Sequence, residues 1–203
     1  MMTISNGFAF ARRTGHVLFV GIATVLLAAC AHPISIEPKN VPERGTDLSP
    51  KKVAYVMSSA DRQKQYISEG GGGDRVTYYP YRDFERGLRA ALFSVYADVT
   101  AVASSSDKAA LRDANAAYIF IPEITTSSSS PSALTWPPTN FGFYLSVDVL
   151  DAGTLPIAKL RVSGNGTAEW GEFKHDFGLA GRRAVEDAAR ALVDEIRRNE
   201  RLR

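Results

Sequence analysis

Cys30 is the residue with the clearest chemistry in this sequence, because it is the only cysteine among 203 residues. A thiolate is a strong nucleophile that can accept a lipid. Arg12 and Arg13 precede it, followed by residues 17–29, a run of thirteen residues without charge. A basic start, a short apolar run and small residues before a cleavage point are typical of a secretory signal peptide. A membrane span needs about 20 apolar residues, so the sequence predicts export and removal of residues 1–29.

Residues 27–30, LAAC, resemble the bacterial lipobox, in which a Leu and two small residues precede the cysteine. The resemblance implies that Cys30 carries diacylglycerol on its sulfur, that cleavage occurs before it, and that a fatty acid such as palmitate is added to the new amine. Ala31 follows instead of Asp, which in enteric-type sorting implies the outer membrane, on its periplasmic face. Two alternatives remain: a free cysteine at an ordinary cleavage site, and an N-terminal helix buried in the domain.

The charge of the processed chain argues against a nucleic-acid partner. Removing residues 1–29 lowers the count of Lys and Arg from 24 to 22, which equals the count of Asp and Glu. A nucleic-acid partner would call for a strongly basic chain. The expected partners are therefore the membrane, through the acyl chains on Cys30, and a periplasmic protein.

The motifs that could indicate catalysis or a cofactor are weak. Residues 70–76, GGGGDRV, lack the Gly-Lys-Ser/Thr ending of a phosphate-binding loop. His175 and Asp176 are not accompanied by a nucleophile elbow, and Asp148 and Asp151 lie at a predicted strand end and turn. A zinc site needs three or four converging ligands, whereas the processed chain has two histidines. We expect no enzyme activity, no metal and no cofactor.

Periodicity predicts a single α/β domain over residues 51–203, preceded by a Pro-rich tether over residues 30–50. As an extended chain the tether would reach about 60 Å at about 3 Å per residue; the alternative is that part of it packs on the domain. Strands are predicted at 51–59, 99–104, 116–125, 141–150 and 157–170, and helices at 82–99, 107–114 and 180–203. This order predicts a two-layer sandwich, with an about five-stranded mixed sheet and two long helices on one face.

Two further features of the sequence carry predictions. Trp136, Pro137 and Pro138 lie in a predicted polar loop, where the prolines would stiffen the chain and present the Trp as an interaction anchor. The alternative is that Trp136 folds back as a lid on the core. In the last helix, Glu186–Arg190 and Asp194–Arg198 are predicted as i,i+4 ion pairs on the exposed face.

The lipobox, the Pro-rich segment and the order of elements over residues 51–200 resemble small outer-membrane lipoproteins of the YajG kind. They are also similar to the wider group with the TolB amino-terminal-domain fold, which includes the LpoB activator of penicillin-binding proteins. The hairpin at 147–166 and the closing Ala-rich helix carry most of this resemblance. It implies a non-enzymatic envelope lipoprotein that acts as a protein interaction module. The alternatives are a carrier or chaperone for a lipid or lipopolysaccharide and, less favoured, an envelope hydrolase.

Overall fold

The protein folds around a five-stranded mixed sheet, with a smaller three-stranded sheet beside it. The computed structural model describes residues 31–70, 74–131, 135 and 137–202. In chain order the strands are β1 (His32–Pro33), β2 (Ser49–Val56), β3 (Tyr66–Glu69), β4 (Arg75–Tyr78), β5 (Tyr96–Val102), β6 (Tyr118–Ser129), β7 (Asn140–Asp151) and β8 (Pro156–Thr167). The helices are α1 (Ser59–Gln63), α2 (Pro80–Phe93), α3 (Lys108–Asp113), α4 (Trp170–Phe173) and α5 (Leu179–Arg198), followed by a 3-10 turn at Glu200–Leu202.

The large sheet has the strand order β5-β2-β6-β7-β8. β5, β2 and β6 are parallel, whereas β6, β7 and β8 form antiparallel pairs. β7 shows the alternation that predicts a strand from sequence. Successive side chains of a strand point to opposite faces of the sheet. Its alternate residues from Phe141 to Val149 are buried, and Tyr144 between them is 47% exposed.

The two long helices cover one face of this sheet. α2 begins with Pro80, which suits the first turn of a helix, and buries Phe84, Leu88 and Leu92. α5 packs directly on β8 and β7 and also contacts α2. The approach is close because β8 carries glycine here: an added Cβ at Gly164 would lie 2.0 Å from the carbonyl oxygen of Ala184.

The predicted fold class, an α/β sandwich with two long helices on one face, is confirmed. Two features of the structure lie outside this two-layer description, and the first is the position of α3, which was predicted as a helix over residues 107–114. α3 covers part of the opposite face, where a small apolar cluster forms between β2, β5, β6 and α3 from Ala54, Val102, Leu111, Ala116 and Ile119. The second feature is the three-stranded sheet, in the order β1-β4-β3, whose strands are not among those predicted from the sequence.

The small sheet closes one end of the main core. Val76 and Tyr78 of β4 are buried in the same cluster as the long helices. The hydroxyl groups of Tyr78 and Thr126 lie 2.6 Å apart, and those of Ser68 and Ser128 lie 2.7 Å apart. These contacts tie β4 and β3 to the last residues of β6.

Part of the Pro-rich segment packs on the domain, which is the alternative to an extended tether that the sequence left open. Ile34 and Ile36 are 8% and 0% exposed and belong to the core. The backbone N–H of Ile36 donates to Asp83 Oδ2 at 3.2 Å, and Arg182 Nη1 donates to the carbonyl oxygen of Glu37 at 2.6 Å. We name residues 34–44 the N-terminal strap. Burial of two isoleucines and hydrogen bonds from two helices outweigh the extended preference of its prolines.

The two predicted i,i+4 ion pairs of the last helix are replaced by other contacts. Glu186 is 8% exposed and accepts hydrogen bonds from the strap. Arg190 instead pairs with Asp187 at 3.4 Å, and Arg198 pairs with Glu195 at 2.6 Å. The strap covers the position of Glu186 on α5, whereas Arg190, Asp194 and Arg198 remain exposed.

Candidate functional site: an arginine-lined cleft

A cleft of about 610 Å³ lies between α2 and the N-terminal strap. Its walls carry four arginines, one glutamate and one tyrosine over an apolar floor. The lining residues are Val41, Pro42, Arg44, Tyr55, Arg82, Glu85, Arg86, Arg89, Ala90 and Phe93. We name this the arginine cleft. Its volume is in the range typical of small-molecule sites.

Helical spacing brings three of the arginines to one face of α2. Arg82, Arg86 and Arg89 are exposed, and their spacing of four and three residues places them on one side of the helix. The opposite side of the same helix carries the buried Phe84 and Leu88. The amphipathic pattern that folds α2 onto the sheet therefore also lines the cleft with guanidinium groups.

The strap supplies the opposite wall. The guanidinium carbon of Arg44 lies 4.2 Å from the centroid of the Phe93 ring, a cation–π geometry. Arg44 also donates to the carbonyl oxygens of Phe93 at 3.4 Å and Ala97 at 3.0 Å. Arg86 reaches across to the carbonyl oxygen of Pro38 at 3.4 Å. The cleft exists because the strap is docked, since Val41, Pro42 and Arg44 all belong to it.

Glu85 is the only acidic residue of the lining and is held in a bidentate pair with Arg62. Arg62 Nε donates to Glu85 Oε2 at 2.7 Å, and Arg62 Nη1 donates to the carbonyl oxygen of Met57 at 2.8 Å. Burial acts to raise the pKa of Glu85, but the hydrogen bonds from Arg62 and Tyr55 outweigh it and the pKa lies below its usual value. Glu85 is therefore an ionised carboxylate whose oxygens are already engaged.

Tyr55 stands at the end of β2 and donates its hydroxyl proton to Glu85 Oε1 at 3.0 Å. Burial, followed by the neighbouring Glu85 charge, raises the pKa of Tyr55 to about 12. A phenol with that pKa stays protonated at neutral pH and is a poor general acid–base group there, because effective catalytic groups have a pKa near the working pH. Tyr55 instead orients Glu85 at the inner wall of the cleft.

The net charge of the arginine cleft is positive. Arg62 compensates Glu85, and Arg82 pairs at 3.1 Å with Asp83, which lies beneath it and is 3% exposed. Within the described residues, Arg44, Arg86 and Arg89 have no carboxylate within the 4.0 Å of an ion pair. Three uncompensated guanidinium groups around a concave apolar floor can bind carboxylate or phosphate groups, which match the fork of an arginine.

The residues singled out from the sequence do not line this cleft. Cys30 and Trp136 lie outside the described residues, so lipid attachment at Cys30 and the interaction role of Trp136 stay predictions. Pro137 and Pro138 are described and are buried. The candidate acids form ion pairs: Asp176 with Arg182 at 2.8 Å, and Asp148 with Lys159 at 2.9 Å.

The sequence held one signal for the arginine cleft, the spacing of Arg82, Arg86 and Arg89 within a predicted helix. Its other wall could not be found in this way, because the strap docks through contacts more than 140 residues apart in the chain, as between Asn40 and Glu186. Over the described ranges, no group of three or more His, Cys, Asp and Glu residues is arranged to hold a metal ion. Over the same ranges, none of the helices has the length and apolar character to span a membrane.

A second concave surface lies on the face of β6, β7 and β8 that the long helices leave uncovered. It encloses about 530 Å³ and is lined by Glu123, Thr125, Tyr144, Leu145, Ser146, Lys159, Arg161, Val162 and Ser163. Charges of both signs are mixed here. This surface lacks the single-sign charge that distinguishes the arginine cleft.

No family model matches the chain, and no curated protein sequence matches it. Among solved structures, a Xanthomonas campestris protein of the DUF330 family is similar at 10% identity and a TM-score of 0.49, over 80% of this chain and 89% of that one. A Caulobacter crescentus CB15 protein provisionally described as a lipoprotein is similar at 16% identity and a TM-score of 0.33, over 62% of this chain and 80% of that one. At these values neither likeness carries an argument about family or function.

Proposed function

We propose that this protein is a lipid-anchored envelope lipoprotein whose domain is a non-enzymatic interaction module. Residues 27–30 support the anchor through their lipobox pattern, with Cys30 as the acylated residue in the periplasmic face of the outer membrane. The arginine cleft carries the proposal for binding, because it combines three uncompensated arginines with a concave floor. An acidic segment of a periplasmic protein partner is the ligand that this charge favours.

The chemistry of the cleft supports binding over catalysis. Glu85 is locked by Arg62 and Tyr55, and the Tyr55 hydroxyl has a pKa of about 12. Neither group is poised to exchange a proton near neutral pH. The arginines are permanent cations that position an anion without reacting. The resemblance to YajG-like and LpoB-type lipoproteins agrees with such a role and belongs to the proposal.

A second candidate function is a carrier of a lipid or lipopolysaccharide. It is favoured by the apolar floor of the cleft, where Val41, Pro42 and Phe93 could contact the first methylenes below a lipid phosphate. The two candidates share the arginines and differ in what lies beyond the anionic group. A test must therefore offer both kinds of ligand.

Acylation is tested first by labelling cells with radioactive palmitate. The wild-type chain should take up label and shift in mobility on cleavage before Cys30, whereas Cys30→Ala should do neither. Label on the Cys30→Ala variant would contradict the proposed anchor.

Binding is tested with a fluorescent oligo-glutamate peptide and, separately, with a short-chain phosphatidic acid below its micelle concentration. The double variant Arg86→Glu/Arg89→Glu should weaken peptide binding by about tenfold or more. Arg190→Glu, on the outer face of α5 and 59% exposed, is the matched control and should leave binding unchanged. Loss of lipid binding alone would favour the carrier. No difference between the double variant and the control would contradict a role for the arginine cleft.

A further inference from the structure

The first described residues of the chain are hydrogen-bonded to the domain. β1 pairs in parallel with β4, with His32 opposite Val76 and Pro33 opposite Thr77. The backbone N–H of Ile34 then donates to the carbonyl oxygen of Thr77 at 2.9 Å. Ala31, which follows Cys30 directly in the sequence, is the first described residue and immediately precedes β1. The inference below rests on the acylation of Cys30 that belongs to the proposed function.

The position of β1 identifies which end of the domain lies at the anchor. In the small sheet, β4 separates β1 from β3, and β3 contacts the end of β6 through Ser68 and Ser128. Ser128 is paired with Phe141, which is paired with Gly166 near the end of β8. These pairings place four strand ends at one end of the domain, which we name the anchor end. They are the start of β1, the end of β6, the start of β7 and the end of β8.

Large exposed apolar side chains concentrate at the anchor end. Ile67 of β3 is 58% exposed, and Trp170, three residues beyond the end of β8, is 65% exposed. Phe177, which is 43% exposed, precedes Gly178, where an added Cβ would lie 1.9 Å from the carbonyl oxygen of Ser35 in the strap. Two other large apolar residues of the described chain are exposed. Tyr144 lies on the uncovered sheet face, and Leu155 lies in the β7–β8 turn at the opposite end.

We propose that the anchor end lies on the bilayer that holds Cys30, with Ile67, Trp170 and Phe177 in contact with the lipid interface. Because Ala31 follows Cys30 directly in the sequence and β1 begins at this end, acyl chains on Cys30 would enter the bilayer on the side that carries these side chains. Tryptophan is the residue most typical of such an interface, because its ring is amphipathic. The domain then has one fixed side toward the membrane.

Charge at the anchor end does not select for anionic lipid. Arg75 is opposite Glu69 in the register of β3 and β4, and Asp74 lies 3.8 Å from the imidazole of His32. Acidic and basic groups are interspersed at the anchor end, so we expect apolar contact to be the main attraction between the domain and the bilayer. Vesicles of neutral phosphatidylcholine are therefore the appropriate probe.

The chain offers a clean labelling experiment, because Cys30 is its only cysteine and is blocked when acylated. An environment-sensitive fluorophore is attached to Ile67→Cys in the full acylated protein, which is then reconstituted into phosphatidylcholine vesicles. Leu155→Cys is the matched control, because Leu155 is 65% exposed at the opposite end. Lipids with a nitroxide near the headgroup serve as quenchers.

On vesicles, we expect the fluorophore at Ile67→Cys to emit at shorter wavelength, and we expect the quencher to remove about half or more of its emission intensity. Leu155→Cys should show neither change. Equal quenching at both positions, or none at either, would overturn the proposed orientation. Vesicle flotation distinguishes a wrong orientation from a missing anchor. A chain that does not float and whose Cys30 reacts with the fluorophore is not acylated. That result would overturn the proposed function together with the inference.

Discussion

The carboxylate of Glu186 accepts the backbone N–H of Lys39 at 3.0 Å and thereby joins the start of the domain to its last helix. The same oxygen accepts the N–H of Asn40 at 2.9 Å. A charged acceptor for two backbone donors holds the middle of the N-terminal strap in place. The strap in turn supplies Val41, Pro42 and Arg44 to the arginine cleft.

Glu186→Ala should release the middle of the strap. Hydrogen bonds to a charged group contribute about 1.5–3 kcal/mol each to stability, and Glu186 accepts two from the strap backbone, so we expect the free energy of unfolding in urea to fall by about 3 kcal/mol or more. Limited proteolysis should also cut faster between residues 37 and 44. Asp194→Ala, at an exposed position of the same helix, is the control and should change stability by less than about 0.5 kcal/mol. Equal effects of the two substitutions would contradict the role of Glu186.

Ile36→Ala tests whether the strap belongs to the core. Ile36 is 0% exposed, and truncation of a buried isoleucine costs about 2–5 kcal/mol. The same change at Ile67, which is 58% exposed, should cost about 0.5 kcal/mol in the unacylated domain. Urea unfolding followed by circular dichroism measures both. If Ile36→Ala were as mild as Ile67→Ala, residues 34–44 would be a tether in solution.

Gly164→Ala tests the close approach of α5 to β8. The new Cβ would lie 2.0 Å from the carbonyl oxygen of Ala184 and 2.4 Å from the nitrogen of Ala188, both of them backbone atoms. The helix would have to move away from the sheet, and we expect the free energy of unfolding to fall by about 3 kcal/mol or more. Gly171→Ala has no atom within 4 Å of the added carbon and should be neutral within about 0.5 kcal/mol. A thermal melt of each variant distinguishes the two outcomes.

Glu85→Gln should lower stability in a pH-dependent way. The pKa of Glu85 is lowered in the folded protein, so its contribution is fully present above the unfolded pKa, about 4.3. It is lost as pH falls through the folded value. We expect the variant to be less stable than the wild type by about 1 kcal/mol or more at pH 7, with the gap closing below about pH 4. Urea midpoints measured from pH 3 to pH 7 give the comparison. A gap that stayed constant over this range would show that the charge of Glu85 contributes nothing.

The sequence pattern was sufficient for the elements that fold by local periodicity. α2 and α5 were visible from their apolar stripes, and β7 from its strict alternation. β6 extends to Ser129, beyond the predicted end at residue 125, because residues 127–129 pair with residues 140–142 at the start of β7. The energy of that pairing comes from a neighbouring strand and leaves no apolar signature in the serines.

The small sheet and the strap could not be predicted in the same way. β1 is two residues long and contains Pro33, a composition that indicates irregular chain. Its hydrogen bonds go to β4, more than 40 residues away. The burial of Glu186 could not be predicted either. Its spacing favoured an exposed ion pair with Arg190, whereas its carboxylate is buried because the strap docks on it. One wall of the arginine cleft, formed by Val41, Pro42 and Arg44, depends on these long-range contacts.

The docking of residues 34–44 also determines the order in which the domain can assemble. These residues leave the ribosome early, whereas Glu186 and Arg182 on α5 follow about 150 residues later. Contacts so distant in the chain form slowly, because a long loop must close before they contribute. Lys39 and Asn40 thus remain without their partner Glu186 until the last helix has been synthesised. A chain that ends before α5 would lack the carboxylate that holds Lys39 and Asn40, and with it a support of the strap wall of the arginine cleft.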